Sequence, residues 1–427
     1  MNKWKHICAS IARTLLGLTF IFSGFVKAVD PLGTVYKIED YLKAFGGFFN
    51  NLMTLAGVAA FMLIIFEFVL GVCLLFNVRT KLTSWLALLM MALMTPLTLY
   101  IAIANPVSDC GCFGDAVVLS NWATFWKNIV LLALVIVLLC WKRYVPQTFV
   151  GKVEWGIAIL AILLVAGFMA YNITHLPIID FRPYKVGNNI PELMQYPDDA
   201  QPDIYRTTYI YEKDGNRQEF TLDNYPQGDS TWTFVESKSV LVKKGYEPPI
   251  HDFEIVDIVN LEDITEDVLD ADVAVLAVMY DLRKADKRQL EKLIRLAQIE
   301  QQNGHMFCLL TGSGSGDIDE FLMSQIQPKC PTQTDYELFE QAVCTCDPVT
   351  LKTIVRANPG VIVLNSGTVV DKYNLANCDL EDLENLKEDN IIDEEYYVEE
   401  EYDGDTPLNQ DFSDTDVYTD EQDFSEE

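Results

Sequence analysis

Two cysteines separated by one residue, Cys110 and Cys112, are the side chains of this sequence best suited to chemistry. They lie in the run Asp109, Cys110, Gly111, Cys112, Phe113, Gly114, Asp115, between two long apolar segments, so a short loop at a membrane surface is expected. Thiols at this spacing can close only a small ring, which does not readily adopt the disulfide dihedral of about 90°. Gly111 between them lacks a Cβ and widens the accessible backbone angles, which lowers that strain. A strained, exposed disulfide is readily exchanged, so the motif suits the transfer of oxidising equivalents better than the bracing of a fold. Three other readings stay open: pairing with other cysteines as a clamp, free thiols in a glycine turn, or a metal site, which no nearby histidine completes. Cys8, Cys73 and Cys140 fall within apolar helices and read as core residues.

Two ionisable residues are expected inside the membrane, Arg13 and Glu67. A single charge there is costly, so an Arg13 to Glu67 pair or a polar cavity is expected. Such a pair serves either to fix helix packing or to form a quinone or proton site.

The elements that position these residues follow from composition. The chain has 427 residues, 50% of them hydrophobic, with a formal net charge of −31, which implies regions that face different solvents. Five apolar stretches are long enough to cross roughly 30 Å of hydrocarbon: 7–29, 52–76, 82–104, 125–144 and 153–171. The first resembles a signal peptide in having Lys3 and Lys5 before it, but it contains Arg13 and lacks a small-x-small cleavage site, so a retained helix is expected. Lys3, Lys5, Arg79, Lys81, Lys142, Arg143 and Lys152 all fall on one side of five crossings. That side is therefore expected to be cytoplasmic, with the cysteine loop and the whole C-terminal part on the periplasmic side of the inner membrane.

The first helix carries Arg13, Gly17, Ser23, Gly24, Lys27, Asp30 and Pro31, the second Glu67 and Gly71, and the loop Cys110, Gly111, Cys112, Phe113 and Gly114. In this order they resemble the DoxX and MauE families of redox-associated membrane proteins, over about the first 145 residues. The resemblance implies a four-helix core and thiol or quinone redox work. DoxX relatives are linked to sulfur-compound oxidation and MauE to disulfide formation in a periplasmic partner. A broader analogy is to quinone-linked disulfide-forming enzymes, whose active cysteines have two residues between them where this chain has one.

Beyond the membrane part, 173–203 reads as an extended, proline-containing linker lying on the membrane domain. Residues 204–244 alternate with period two around Asp214 and Gly215, a small antiparallel β element. From 245 to 377, strand and helix patterns alternate as in an α/β domain. This order resembles the thioredoxin-like fold, with Pro248, Pro249 and Phe253 before the first strand and Pro359 at the position of that fold's cis-proline. The loop that would bear the fold's paired cysteines reads Asp281, Leu282, Arg283, Lys284, Ala285, Asp286, so no thiolate can form there. Cys344 and Cys346, just before a helix, could form a rebuilt site with a lowered thiol pKa, or simply fill a strand end. In the final stretch, 378–427, the acids face a single lysine, Lys387. It is expected to be disordered, and its charge argues against nucleic acid as a partner.

The expected architecture is thus a four-helix membrane domain (1–145), a fifth transmembrane helix (146–172), the linker, the β element, a periplasmic thioredoxin-like domain without its cysteine pair, and the acidic tail. Two functions compete. One is thiol and disulfide exchange at Cys110 and Cys112, with lipid around it, a periplasmic protein as client and a quinone as the admissible cofactor. The other is a non-catalytic, membrane-anchored scaffold whose degenerate domain binds a partner. A transporter is a weaker third reading, motivated only by Arg13 and Glu67.

Overall fold

The computed structural model describes residues 2–380, apart from 108, 146–147, 150, 198–199, 203, 214, 223, 227–228, 230 and 244. The expected acidic tail, apart from its first few residues, lies outside the described residues.

Among the described residues, five helices are long and apolar enough to cross a membrane, and the protein is a multi-pass membrane protein. They are built from α1 (Asn2–Val29), α3 (Ala56–Leu75), α4 (Thr80–Ala104), α5 (Asn121–Trp141) and α6 (Lys152–His175). Their outer faces expose Leu15, Leu18, Leu89, Leu93, Leu163 and Leu164, while Leu16, Ile64, Leu74, Ile101 and Leu138 are fully buried between helices. In lipid those outer side chains need no protein partner.

α1 and α3 approach closely because glycine faces backbone. A Cβ on Gly71 would lie 2.5 Å from the Ile21 nitrogen, one on Gly17 2.9 Å from that of Leu75, and one on Gly24 2.7 Å from that of Phe68. Small residues at a helix crossing are the usual means of such packing in membranes.

Between the first two spans lies a further helix, α2 (Pro31–Phe45). Asp30 caps it by accepting a hydrogen bond from the Gly33 N–H, and Pro31 starts it where no amide hydrogen is needed. A 3-10 segment, Gly47–Leu55, then leads into α3 with Phe48 and Phe49 exposed.

Residues 176–200 depart from the expected linker on the membrane domain. Tyr184 and Ile190 are buried in the core of the α/β domain, a short helix α7 (Ile190–Met194) forms, and the Ile190 N–H donates to the Gly367 carbonyl. Tyr184 and Ile190 therefore belong to that core, with Leu193 and Met194 packed against it, while Ile178, Ile179, Phe181, Val186 and Tyr196 stay exposed.

Three strands, β1 (Ile204–Lys213), β2 (Asn216–Phe220) and β3 (Thr233–Lys243), make an antiparallel sheet in the order β2-β1-β3, with the turn at Gly215. The α/β domain has a six-stranded sheet. Its strands are β4 (Val256–Asp257), β5 (Ala274–Val278), β6 (Met306–Thr311), β7 (Val343–Thr345), β8 (Gly360–Asn365) and β9 (Thr368–Asn374), in the order β4-β7-β6-β5-β8-β9. The central β5, β6 and β7 are parallel, and the outer pairings are antiparallel. Every residue of β5 is buried, as expected for a strand covered on both faces by helices. These helices include α8 (Thr265–Asp270), α9 (Leu290–Gln302), α10 (Ser315–Phe321), α11 (Gln333–Gln341) and α12 (Pro348–Ile354). The Asn358–Pro359 peptide bond is cis.

The α/β domain is seated on the membrane bundle. Asn374 and Asn377 donate to the Thr174 carbonyl at the end of α6, the Tyr36 hydroxyl donates to that of Tyr280 at 3.1 Å, and Arg356 reaches Asp30.

Candidate functional site

The loop after α4 brings the Cys110 and Cys112 sulfurs to within 2.9 Å of each other, half-buried, so a bond between them needs little movement. Its shape is fixed from within and from α2. Gly111 has φ +64°, in the left-handed region, and Asp109 accepts a hydrogen bond from its N–H at 2.7 Å. From α2, Lys37 holds Asp109 at 2.8 Å and the Tyr41 hydroxyl donates to the Cys110 carbonyl at 2.7 Å. The Lys37 stem also lies over Gly111, 2.9 Å from where a Cβ would stand.

On the membrane side, the Ser23 hydroxyl lies 2.8 Å from the Cys112 carbonyl and 2.9 Å from Glu67. Lys27 donates to Ser23 at 3.0 Å and meets Glu67 at 2.6 Å, with both charged groups buried. The expected Arg13 to Glu67 pair is therefore corrected: Glu67 pairs with Lys27. Arg13 instead donates to the carbonyls of Leu74 and Leu75, at the C-terminal end of α3. A helix C-terminus presents unpaired carbonyls and the negative end of the macrodipole, which is enough to hold an arginine without a carboxylate.

Both cysteines line a cavity of about 360 Å³ that runs into the bundle between α1, α3, α4 and α5. Phe20, Leu63, Met90, Met94 and Leu131 give it apolar walls within the bundle, Lys127 and Asn128 share that lining, and charged residues including Lys27, Glu67, Asp30 and Arg356 line it as well. The Lys127 ammonium sits 4.1 Å from the centre of the Phe113 ring.

The thiols are electrostatically unequal. The hydrogen bond from Cys110 holds the Cys112 thiol down to about 6, aided by the nearby Lys127 and Lys27 charges, although burial acts the other way. That same hydrogen bond, together with burial, pushes the Cys110 thiol up.

The burial of the second thiol pair fits the strand-end reading rather than a rebuilt site. Cys344 and Cys346 are both buried in the α/β core. Contact with Cys308 and burial push the Cys344 thiol up, and burial pushes that of Cys346 up to about 12. The lowering expected from the following helix N-terminus is thus outweighed by desolvation. Cys140, expected in a helix core, instead faces outward from α5.

Sequence reasoning missed the site roles of five residues. Ser23 and Lys27, one helical turn apart, share a face of α1, and that spacing was readable. Lys127 lies inside an apolar segment, where any lysine is notable. Lys37 and Tyr41 depended on α2, whose cap signal at Asp30 and Pro31 was readable too.

The fold and this site define a helical membrane protein with a thiol-bearing loop over a cavity in the bundle. Residues 5–142 match the family model described as methylamine utilisation protein MauE, so this part of the chain is MauE-like. Residues 205–244, the three-stranded sheet, match a domain of unknown function, DUF8463. No curated protein and no solved structure matches the chain.

Proposed function

We propose that this protein exchanges thiol and disulfide equivalents at the periplasmic face of the cytoplasmic membrane, with Cys110 and Cys112 as the exchanging pair. The observation that carries this reading is the position of the two sulfurs, 2.9 Å apart at the head of the bundle cavity. A buried structural thiol would need neither the cavity nor the unequal electrostatics. The placement of short-loop cations on the opposite side supports the orientation.

In the oxidised state, a client thiolate attacks one sulfur of the Cys110–Cys112 bond and displaces the other as a thiolate. A second client thiol then resolves the mixed disulfide, leaving the client oxidised and the loop cysteines reduced. The cavity residues fit a quinone as the group that restores the disulfide: the walls offer Phe20, Leu63, Met90, Met94 and Leu131 to a flat apolar ring, and Lys127 and Asn128 are polar groups in the same lining. A bound quinone would supply an acceptor for the two electrons and two protons of the dithiol. The chain's own contribution is to hold the loop over the cavity through Ser23, Lys37 and Tyr41, and to keep water out with the bundle and the α/β domain.

The α/β domain is read as thioredoxin-like on the support of its sheet order, with three parallel strands flanked by the antiparallel β8 and β9. Its role here is to seat and select a client. The rival scaffold reading is favoured by the cysteine-free loop Asp281 to Asp286 and by the burial of Cys344 and Cys346.

Trapping the thiols in growing cells decides between them. Exchange predicts that Cys110 and Cys112 alternate between oxidised and reduced as respiration is switched on and off, and that replacing both by Ser abolishes the phenotype. A pair permanently reduced in respiring cells, or a double Ser variant with full function, removes the exchange reading.

A further inference from the structure

We propose that Lys127 is the positioning cation that holds Cys112 as a thiolate in the reduced pair, which makes Cys110 the sulfur that client thiols attack; this rests on the exchange reading above. Most of the charges that face the loop already have partners. From α1 and α3, Lys27 and Glu67 neutralise each other at 2.6 Å. From α2, Lys37 is paired with Asp109, and the Tyr41 hydroxyl is committed to the Cys110 carbonyl. From α12 and the residues after it, Arg356 faces Asp30 and Asp115, and Lys352 lies over the rings of Tyr36 and Tyr280.

Lys127 stands apart from these. It is half-buried in the cavity wall, its ammonium faces the Phe113 ring, and among the described residues it forms an ion pair with no carboxylate. An aromatic face offsets only part of the cost of taking an ammonium out of water. An anion in the cavity completes the balance, and Cys112, the residue before Phe113 and itself in the cavity lining, can supply one. The direction of the Cys112 shift agrees: after the hydrogen bond from Cys110, Lys127 is the largest influence that favours the thiolate.

The chemical consequence is a division of labour. The sulfur that departs more easily is the one whose thiolate is better stabilised. A client thiolate therefore attacks the Cys110 sulfur, the Cys110–Cys112 bond breaks, and its electron pair passes to Cys112 beside Lys127. The second client thiol loses its proton and displaces Cys110 from the mixed disulfide, and Cys110 takes up a proton as it is released.

The test uses the full chain in lipid nanodiscs, reduced, in a Cys110→Ala background. The rate of Cys112 labelling by iodoacetamide is followed against pH by tandem mass spectrometry of its peptide. Lys127→Met should raise the labelling midpoint by about one pH unit or more, while Lys127→Arg should keep it. Glu67→Gln, which leaves the Lys27 charge uncompensated, should move it the other way. An unmoved midpoint in Lys127→Met overturns the proposal; if that variant does not accumulate, Lys127→Gln, which keeps a polar side chain but no charge, decides by the same rule. In cells, Cys112→Ala should accumulate mixed disulfides on Cys110 and Cys110→Ala should not, and the reverse pattern overturns the assignment. Labelling does not depend on turnover, so a failure of the exchange reading is seen separately, as a wild-type pair that never changes redox state.

Discussion

The Arg356 guanidinium and the Asp30 carboxylate meet 2.8 Å apart where the α/β domain is seated on the bundle, 326 residues apart in the chain. The same carboxylate caps α2, and the same guanidinium extends to Asp115 in the cysteine loop at 3.5 Å. One buried contact thus links the domain, α2 and the thiol site.

Replacing Arg356 by Ala leaves Asp30 buried without its cation. The expected loss of stability is about 3–5 kcal/mol, and Lys at this position should recover only part, because it lacks the planar fork. Thermal unfolding in detergent, with proteolysis of the segment between α6 and α7, measures both effects. Burial raises the Asp30 carboxyl, but Arg356, Arg182 and the Gly33 N–H outweigh it and hold the group below its usual 3.8. A carboxylate held low in the folded state contributes stability that is present above 3.8 and lost as pH falls through the folded value. Acid should therefore release the domain, and Asp30→Asn should flatten that part of the pH response.

The Lys27 to Glu67 pair makes a different prediction, since both partners are buried within the bundle. Removing either one strands a charge, so Lys27→Met and Glu67→Leu should each destabilise by about 3–5 kcal/mol. The double variant should lose much less than the sum, because no unpaired charge remains. Thermal melts of the four proteins close this cycle. Additive losses would mean that the two side chains do not act as a pair.

How far the sequence could lead is seen in these same residues. The five spans were readable because apolar length is a property of composition alone, and β5 because an unbroken apolar run of strand length has few alternatives. The cysteine loop was readable for the same reason, lying between two spans. The partner of Glu67 was not, because matching depth across two helices does not specify rotation about their axes. Lys27 has the right rotation, and Arg13 is satisfied by backbone carbonyls at a helix end. Nor could Arg356 be foreseen, since nothing local in the sequence points from α12 to Asp30.

The glycines of α1 and α3 were visible as a pattern, and the structure supplies their reason. A methyl at Gly71 meets the Ile21 nitrogen and the Gly17 carbonyl at 2.5 Å and 2.9 Å, so backbone rather than a movable side chain must yield. Gly71→Ala should therefore push α1 away from α3 and destabilise by about 1–3 kcal/mol, as overpacking does, although alanine favours helix. Gly57→Ala, where nothing lies within 4 Å, is the control and should be neutral or mildly stabilising. Unfolding temperatures of the two variants, compared in the same detergent, test this contrast.

Gly111 poses two separable demands, and its replacement tests whether loop shape governs the thiol pair. Its φ of +64° costs an L-residue about 1–2 kcal/mol, and a Cβ there would press on the Lys37 stem at 2.9 Å. Gly111→Ala should therefore displace the loop from Lys37 and Tyr41, weakening the hold on Asp109 and on the Cys110 carbonyl. Trimming Lys37 to Ala in the same chain removes the steric conflict but also the Lys37 to Asp109 pair, so it should not restore the hold on Asp109. Asn at position 111, which tolerates the left-handed region better, should be milder than Ala on the backbone count and equal to it on the steric one. The measurement is the redox equilibrium of the loop thiols against dithiothreitol, read as the oxidised fraction. If Gly111→Ala leaves that equilibrium and the Lys37 contact unchanged, the clamp from α2 does not shape the site.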